Sequence, residues 1–66
     1  MYINRLRKLR KQYGLTLEQM SNITGISIGY LSHLELGTRN NPSMEIMEKI
    51  SFALGKDLVE VFFSDK

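Results

Sequence analysis

Residues 16 to 37 read Thr-Leu-Glu-Gln-Met-Ser-Asn-Ile-Thr-Gly-Ile-Ser-Ile-Gly-Tyr-Leu-Ser-His-Leu-Glu-Leu-Gly, and few folds accept such a segment. Thr16 with Gln19 three residues later is a capping-box pattern, the local signal that starts a helix. Gly25 turns the chain, Ser27 can cap a second helix, and Gly37 ends it. Two short capped helices therefore flank one tight turn. In the second, Leu31 and Leu34 are core anchors, whereas residues 29, 32, 33 and 36 point the other way at about 100° per residue. That outer face is small and polar at Gly29, Ser32 and His33.

The rest of the chain reads as helices packed around this pair. Tyr2, Leu6, Leu9 and Tyr13 recur at steps of four, three and four, a single stripe on a helix over about residues 2–13. Gly14 supplies the stop, and the second and third helices cover about 17–24 and 28–36. Met20, Ser21 and Thr24 face inward on the second. Thr-Arg-Asn-Asn-Pro at 38 to 42 is a loop by composition. Ser43 then caps a fourth helix, about 43–54, with Met44, Met47, Ile50 and Leu54 inside and Gly55 closing it. Asp57 can cap a last helix over 58–63 whose Leu58, Val61 and Phe62 face the core. No strand pattern, linker or repeat interrupts the series. The expected class is all-α: five helices in one domain spanning residues 1 to 66.

Sixty-six residues build only a thin core, because a chain this short buries about 60% of its unfolded surface. Without cysteine there is no disulfide and no thiolate metal site, and the single His33 cannot hold a metal alone. Enzyme chemistry finds no foothold either: no acidic pair in an identifiable cleft, and no Gly-rich phosphate loop after a strand. No cofactor is implied. The apolar runs fall far short of the ~20 residues of a membrane span, no signal-like segment opens the chain, and the absent cysteine fits a reducing compartment. The expectation is a cytoplasmic protein. Net charge is only +2, yet Arg5, Arg7, Lys8, Arg10 and Lys11 crowd into the first 13 residues without one acid. Such an end suits a phosphate partner, and equally a solvated helix face.

The outer face of the third helix has the chemistry of a base reader. Gly29 and Ser32 permit close approach to a groove floor, and Ser32 and His33 can each donate or accept. A His donor can reach the N7 and O6 acceptors of guanine. Arg39 and the amides of Asn40 and Asn41 can hold phosphates, which positions a protein without reading sequence.

The ordered set of motifs is similar to the Cro and lambda-repressor type (Xre-type) helix-turn-helix family. It runs from Leu-Arg-Lys-Gln-Tyr-Gly-Leu-Thr at 9 to 16, through Gly25-Ile26-Ser27 and Tyr30-Leu31-Ser32-His33-Leu34-Glu35-Leu36-Gly37. It continues to Asn41-Pro42-Ser43 and Ala53-Leu54-Gly55, covering nearly the whole chain. The resemblance implies a lambda-repressor-like fold with a recognition helix at 28 to 36 in the major groove of double-stranded DNA. Base reading would fall on Ser27, Ile28, Gly29, Ser32 and His33. Phosphate contacts are implied at Leu17 (the start of the second helix), Tyr30, Arg39 and Asn40. It also implies a structural ion pair of Arg10 with Glu35.

Three positions depart from the family pattern. Leu17 stands where Gln is frequent, Ile28 where a polar base reader is frequent, and Leu36 where a polar or basic residue is frequent. Ile28 can touch thymine methyl groups, which shifts readout towards methyl contacts and DNA shape. The same apolar residues also suit a protein partner. Phe52 lies opposite the Met47 stripe, and Val59 and Phe63 lie off the inward face of the last helix, so these three are the expected homodimer contacts. Two functions follow. One is a transcriptional regulator, a repressor, that binds a palindromic operator as a homodimer. The other is a protein-interaction module on the same fold, such as an antitoxin or co-regulator.

Overall fold

A computed structural model describes residues 4–38 and 41–63. Five helices follow in order: α1 Leu6–Gln12, α2 Leu17–Thr24, α3 Ile28–Leu36, α4 Met44–Leu54 and α5 Leu58–Phe62. No strand occurs among the described residues. Local chemistry sets most of the boundaries. The Thr16 hydroxyl accepts from the Gln19 amide at 3.0 Å, while the Gln19 side chain accepts from the Thr16 amide at 2.8 Å. Ser27 and Ser43 cap α3 and α4 in the same way, accepting from Tyr30 and Ile46 at 3.1 and 3.2 Å. These bonds satisfy amides that a helix start leaves unpaired. Gly25, Gly37 and Gly55 end α2, α3 and α4 with φ of +77°, +80° and +66°, a conformation glycine adopts without the steric cost of a Cβ.

The core gathers one or more residues from every helix. Leu6, Met20, Leu31, Leu34, Ile50, Val61 and Phe62 are fully enclosed. The packing runs α2 against α3 and α4, α4 against α5, and α1 against α4 and α5. The chain entering α1 is fixed to the far end of the sequence, where the Arg5 amide donates to the Val61 carbonyl at 2.9 Å.

Several expectations need correction. The first helix does not span 2–13: it begins at Leu6, with Arg5 already non-helical, and Tyr2 lies outside the described residues. Asn4 sets this start, its side-chain Oδ1 accepting from the Leu6 amide at 2.9 Å. Tyr13 consequently falls at the C-terminal cap, largely exposed rather than in the core. There its ring meets the Lys56 ammonium at 5.9 Å to the centroid, and Lys56 is held above its ordinary range first by Tyr13 and then by Glu60. Met44, expected inside, is 58% exposed because it occupies the first position of α4, beyond the neighbouring helices. Buried Pro42 and Met47 occupy the two positions of a hydrophobic staple around that helix start. α5 stops at Phe62, and Asp57 precedes it without a side-chain cap bond. Ser21 and Leu58 are only half-buried. Ile26 and Ser51 are buried without having been anticipated, Ile26 inside the turn itself.

Candidate nucleic-acid interface

The turn between α2 and α3 is only Gly25-Ile26-Ser27, and it is fastened from within. Thr24 donates its hydroxyl to the Met20 carbonyl at 2.7 Å and accepts from the Ile26 amide at 3.1 Å, so this buried hydroxyl is satisfied. Ile26 is thereby drawn into the core, and α2 and α3 are set at a fixed corner.

From α1, polar side chains hold α3. Arg10 grips Glu35 bidentately, Nε to one carboxylate oxygen at 2.6 Å and Nη2 to the other at 3.1 Å. Its remaining Nη1 donates to the Leu15 carbonyl at 2.7 Å. Both side chains are nearly enclosed. The hydrogen bond to Glu35 raises the Arg10 guanidinium above its already high ordinary value, against the opposing effect of burial. Asn4, just before α1, adds a second tie, its side-chain Nδ2 donating to the Leu34 carbonyl at 2.6 Å. The inward side of α3 is thus fixed by Leu31, Leu34 and Glu35.

Its outward side is open. Ser27, Ile28, Gly29 and His33 are exposed, Ser32 is half-buried, and Leu36 is 65% exposed. A Cβ added to Gly29 would meet nothing within 4 Å, and its backbone is ordinary helix, so nothing inside the molecule calls for glycine there. Ser27 already accepts from the Tyr30 amide, which leaves its hydroxyl proton for an outside acceptor.

The phosphate candidates separate. Leu17 and Tyr30 are half-buried against the core, so much of each side chain is engaged in packing. Leu17 offers an outside anion only its backbone amide, one of the first four of α2. Asn41 is exposed with φ +53°, the left-handed conformation that asparagine tolerates better than most residues. Arg39 and Asn40 lie outside the described residues. Phe52 on α4, 87% exposed, and Val59 on α5 stand out in solvent, with Phe63 partly so just beyond α5. Among the described residues, no group of three or more His, Cys, Asp or Glu side chains could hold a metal. No described helix is long and apolar enough to cross a membrane.

One neighbour of the site escaped the sequence reading. Thr38 donates its amide to the His33 carbonyl at 3.0 Å, and Gly37 donates to Leu34 at 3.2 Å. This pair of bonds is a Schellman ending, which sets the residue after the glycine against the one five positions back. The signal was available in Gly37 followed by Thr38.

A family model described as "Helix-turn-helix domain" matches residues 3–62. The chain belongs to the Xre-type helix-turn-helix family. It is 37% identical over 57 residues to the HTH-type transcriptional regulator SlrR of Bacillus subtilis, covering 86% of this chain and 38% of that protein. With the HTH-type transcriptional regulator DdrOP3 of Deinococcus deserti it shares 40% identity, covering 94% of this chain and 51% of the relative. The chain thus spans about half or less of the length of these relatives. Among solved structures, the N-terminal DNA binding domain of SinR from Bacillus subtilis superposes with a TM-score of 0.81 at 30% identity. That match covers 86% of this chain and 83% of that one, and it places the chain in the all-α, lambda-repressor-like fold.

Proposed function

We propose that this chain binds duplex DNA through α3 in the major groove, as the DNA-binding module of a cytoplasmic transcriptional regulator. The observation that carries the reading is the outward side of α3. It is small at Gly29, polar at Ser27 and His33, and rigidly presented by the Arg10–Glu35 pair and a fixed turn. Where the backbone is already helical, alanine in place of glycine is typically more stable by about 0.4–1 kcal/mol, so an unforced glycine on an exposed face fits close approach by something outside the molecule. The names of the relatives, transcriptional regulators, and the DNA-binding domain of SinR support the same reading.

In this reading Ser27, Ile28, Gly29, Ser32 and His33 meet base edges, and Asn41 with Arg39, Asn40, Tyr30 and the Leu17 amide meet phosphates. Ile28 supplies a methyl contact rather than a hydrogen bond. The working form is a homodimer through Phe52, Val59 and Phe63, acting as a repressor on a palindrome whose half-sites lie about 34 Å apart. The large exposed apolar groups on and beside α4 and α5 support that assembly.

Exposed Leu36 and Ile28 favour a second reading, a protein-interaction module of the antitoxin or co-regulator kind. Selection of bound duplexes from a randomised pool separates the two. Enrichment of a two-fold symmetric motif is expected, with Arg39→Ala weakening binding to all sequences alike and flattening its salt dependence. A folded protein that enriches no motif at moderate salt would transfer the assignment to the second reading.

A further inference from the structure

The geometry points to Thr38 as the residue that decides what His33 can read: it fixes the neutral imidazole with its proton on Nδ1 and leaves Nε2 as an acceptor. The inference rests on α3 being the base-reading helix. The Thr38 hydroxyl oxygen lies 3.0 Å from the His33 carbonyl oxygen and 2.9 Å from His33 Nδ1. A carbonyl oxygen carries no proton, so at that separation the hydroxyl proton lies between the two oxygens. The hydroxyl has one proton to give. Having donated it to the carbonyl, Thr38 can only accept from the ring, and Nδ1 must carry the hydrogen.

Backbone geometry keeps the contact in place. His33 and Thr38 are the facing positions of the Schellman ending of α3, a pairing that is ordinarily apolar. Here both members are polar, and their contact consumes one ring nitrogen at the helix end. The consequence runs against the sequence reading, in which His33 donates to guanine. Neutral His33 instead offers a lone pair at Nε2, which matches the amino groups that cytosine N4 and adenine N6 present in the major groove. The N7 and O6 acceptors of guanine do not match it. The group that residue 33 reads is the exocyclic amine at the facing pair, cytosine N4 or adenine N6, rather than the purine N7 or guanine O6 on the other strand.

Two measurements test this on the unmodified protein and on Thr38→Val, which deletes the hydroxyl and keeps the backbone amide. Long-range proton–nitrogen NMR reads the tautomer without DNA, at about pH 8 where an ordinary imidazole is neutral. The chain has a single histidine, so the ring signals need no assignment. The Nδ1–H form is expected, giving way to Nε2–H in Thr38→Val; a predominant Nε2–H form in the unmodified protein overturns the proposal. Duplex selection then reads the consequence. His33→Ala should relax one base-pair position per half-site. At that position N4-methylcytosine or N6-methyladenine, which loses the amino hydrogen facing the major groove, should weaken binding of the unmodified protein. Thr38→Val should lower discrimination at that same position about three- to tenfold, the scale of one hydrogen bond, and leave the other positions alone. Binding that tolerates the methylated amine and is weakened instead by 7-deazaguanine at the His33-dependent position, or no change in Thr38→Val, overturns the proposal. Absence of any enriched motif overturns it through its premise, whatever the tautomer, and so is distinguishable from a failure of the ring chemistry.

Discussion

The two sides of α3 are built on opposite principles. Inward, Leu31 and Leu34 are fully enclosed, Glu35 is locked to Arg10 by two hydrogen bonds, and the Leu34 carbonyl receives Asn4. Outward, Gly29 has open space around it, Ile28 and Leu36 stand in solvent, and Ser27 and His33 each keep a polar atom for a partner. One side is over-determined by the fold, and the other is used by it only in part, at the Ser27 cap and the Thr38 contact. In the proposed reading, stability and recognition therefore sit largely on separable residues of one nine-residue helix and its cap.

The comparison breaks most readily at the ion pair. Arg10→Ala leaves Glu35 as a nearly enclosed, unpaired carboxylate, a loss of about 3–5 kcal/mol. For a domain of this size that is a large part of the total, and urea denaturation should show a partly unfolded population without denaturant. A fall of under about 1 kcal/mol would mean that solvent reaches the pair and the inward side is looser than drawn. Leu34→Ala removes a fully buried side chain and should lower stability by about 2–5 kcal/mol. DNA affinity per folded molecule should stay near its original value, as fluorescence anisotropy at low temperature would show.

The outward side should answer with the opposite sign. Gly29→Ala meets no atom within 4 Å and improves helix propensity, so thermal unfolding should shift upward by the equivalent of about 0.5–1 kcal/mol. DNA binding should weaken in the same variant, because the added methyl stands in the approach path. Unchanged DNA affinity in a stabilised Gly29→Ala protein would detach that face from recognition. Phe52→Lys should have the smallest effect on the fold, within about 0.5 kcal/mol, since the residue is 87% exposed. Sedimentation should nevertheless report a weaker dimer, and an unaltered association constant would remove Phe52 from the contact.

Much of this architecture was legible because its determinants are local. Thr16 with Gln19, Ser27 and Ser43 announce helix starts through hydrogen bonds spanning three residues, and Gly25, Gly37 and Gly55 announce ends through their backbone freedom. The enclosed Leu6, Leu9, Met20, Leu31, Leu34 and Ile50 follow from helical period. Tyr13 and Met44 share that period and still lie outside the core, because a stripe says nothing about where the neighbouring helices stop. Ile26 shows the converse: composition marks a turn, and packing of α2 on α3 buries it. At the candidate site, exposure of Gly29, His33 and Leu36 was readable from period, whereas Ile28 was placed outward only by the family resemblance. The engagement of Leu17 and Tyr30 with the core was not, nor was the contact of Thr38 with His33.

By itself the sequence determined the five helices, the short corner between the second and third, and the small polar character of the outward helix face. These depend on side chains acting on backbone within one or two turns. Only the tertiary structure decided which atoms that face retains for a partner. The Ser27 hydroxyl is spent as an acceptor inside the helix cap, and the His33 Nδ1 is spent on Thr38. A side chain lists every hydrogen bond it can make, and its folded neighbours settle which of them remain.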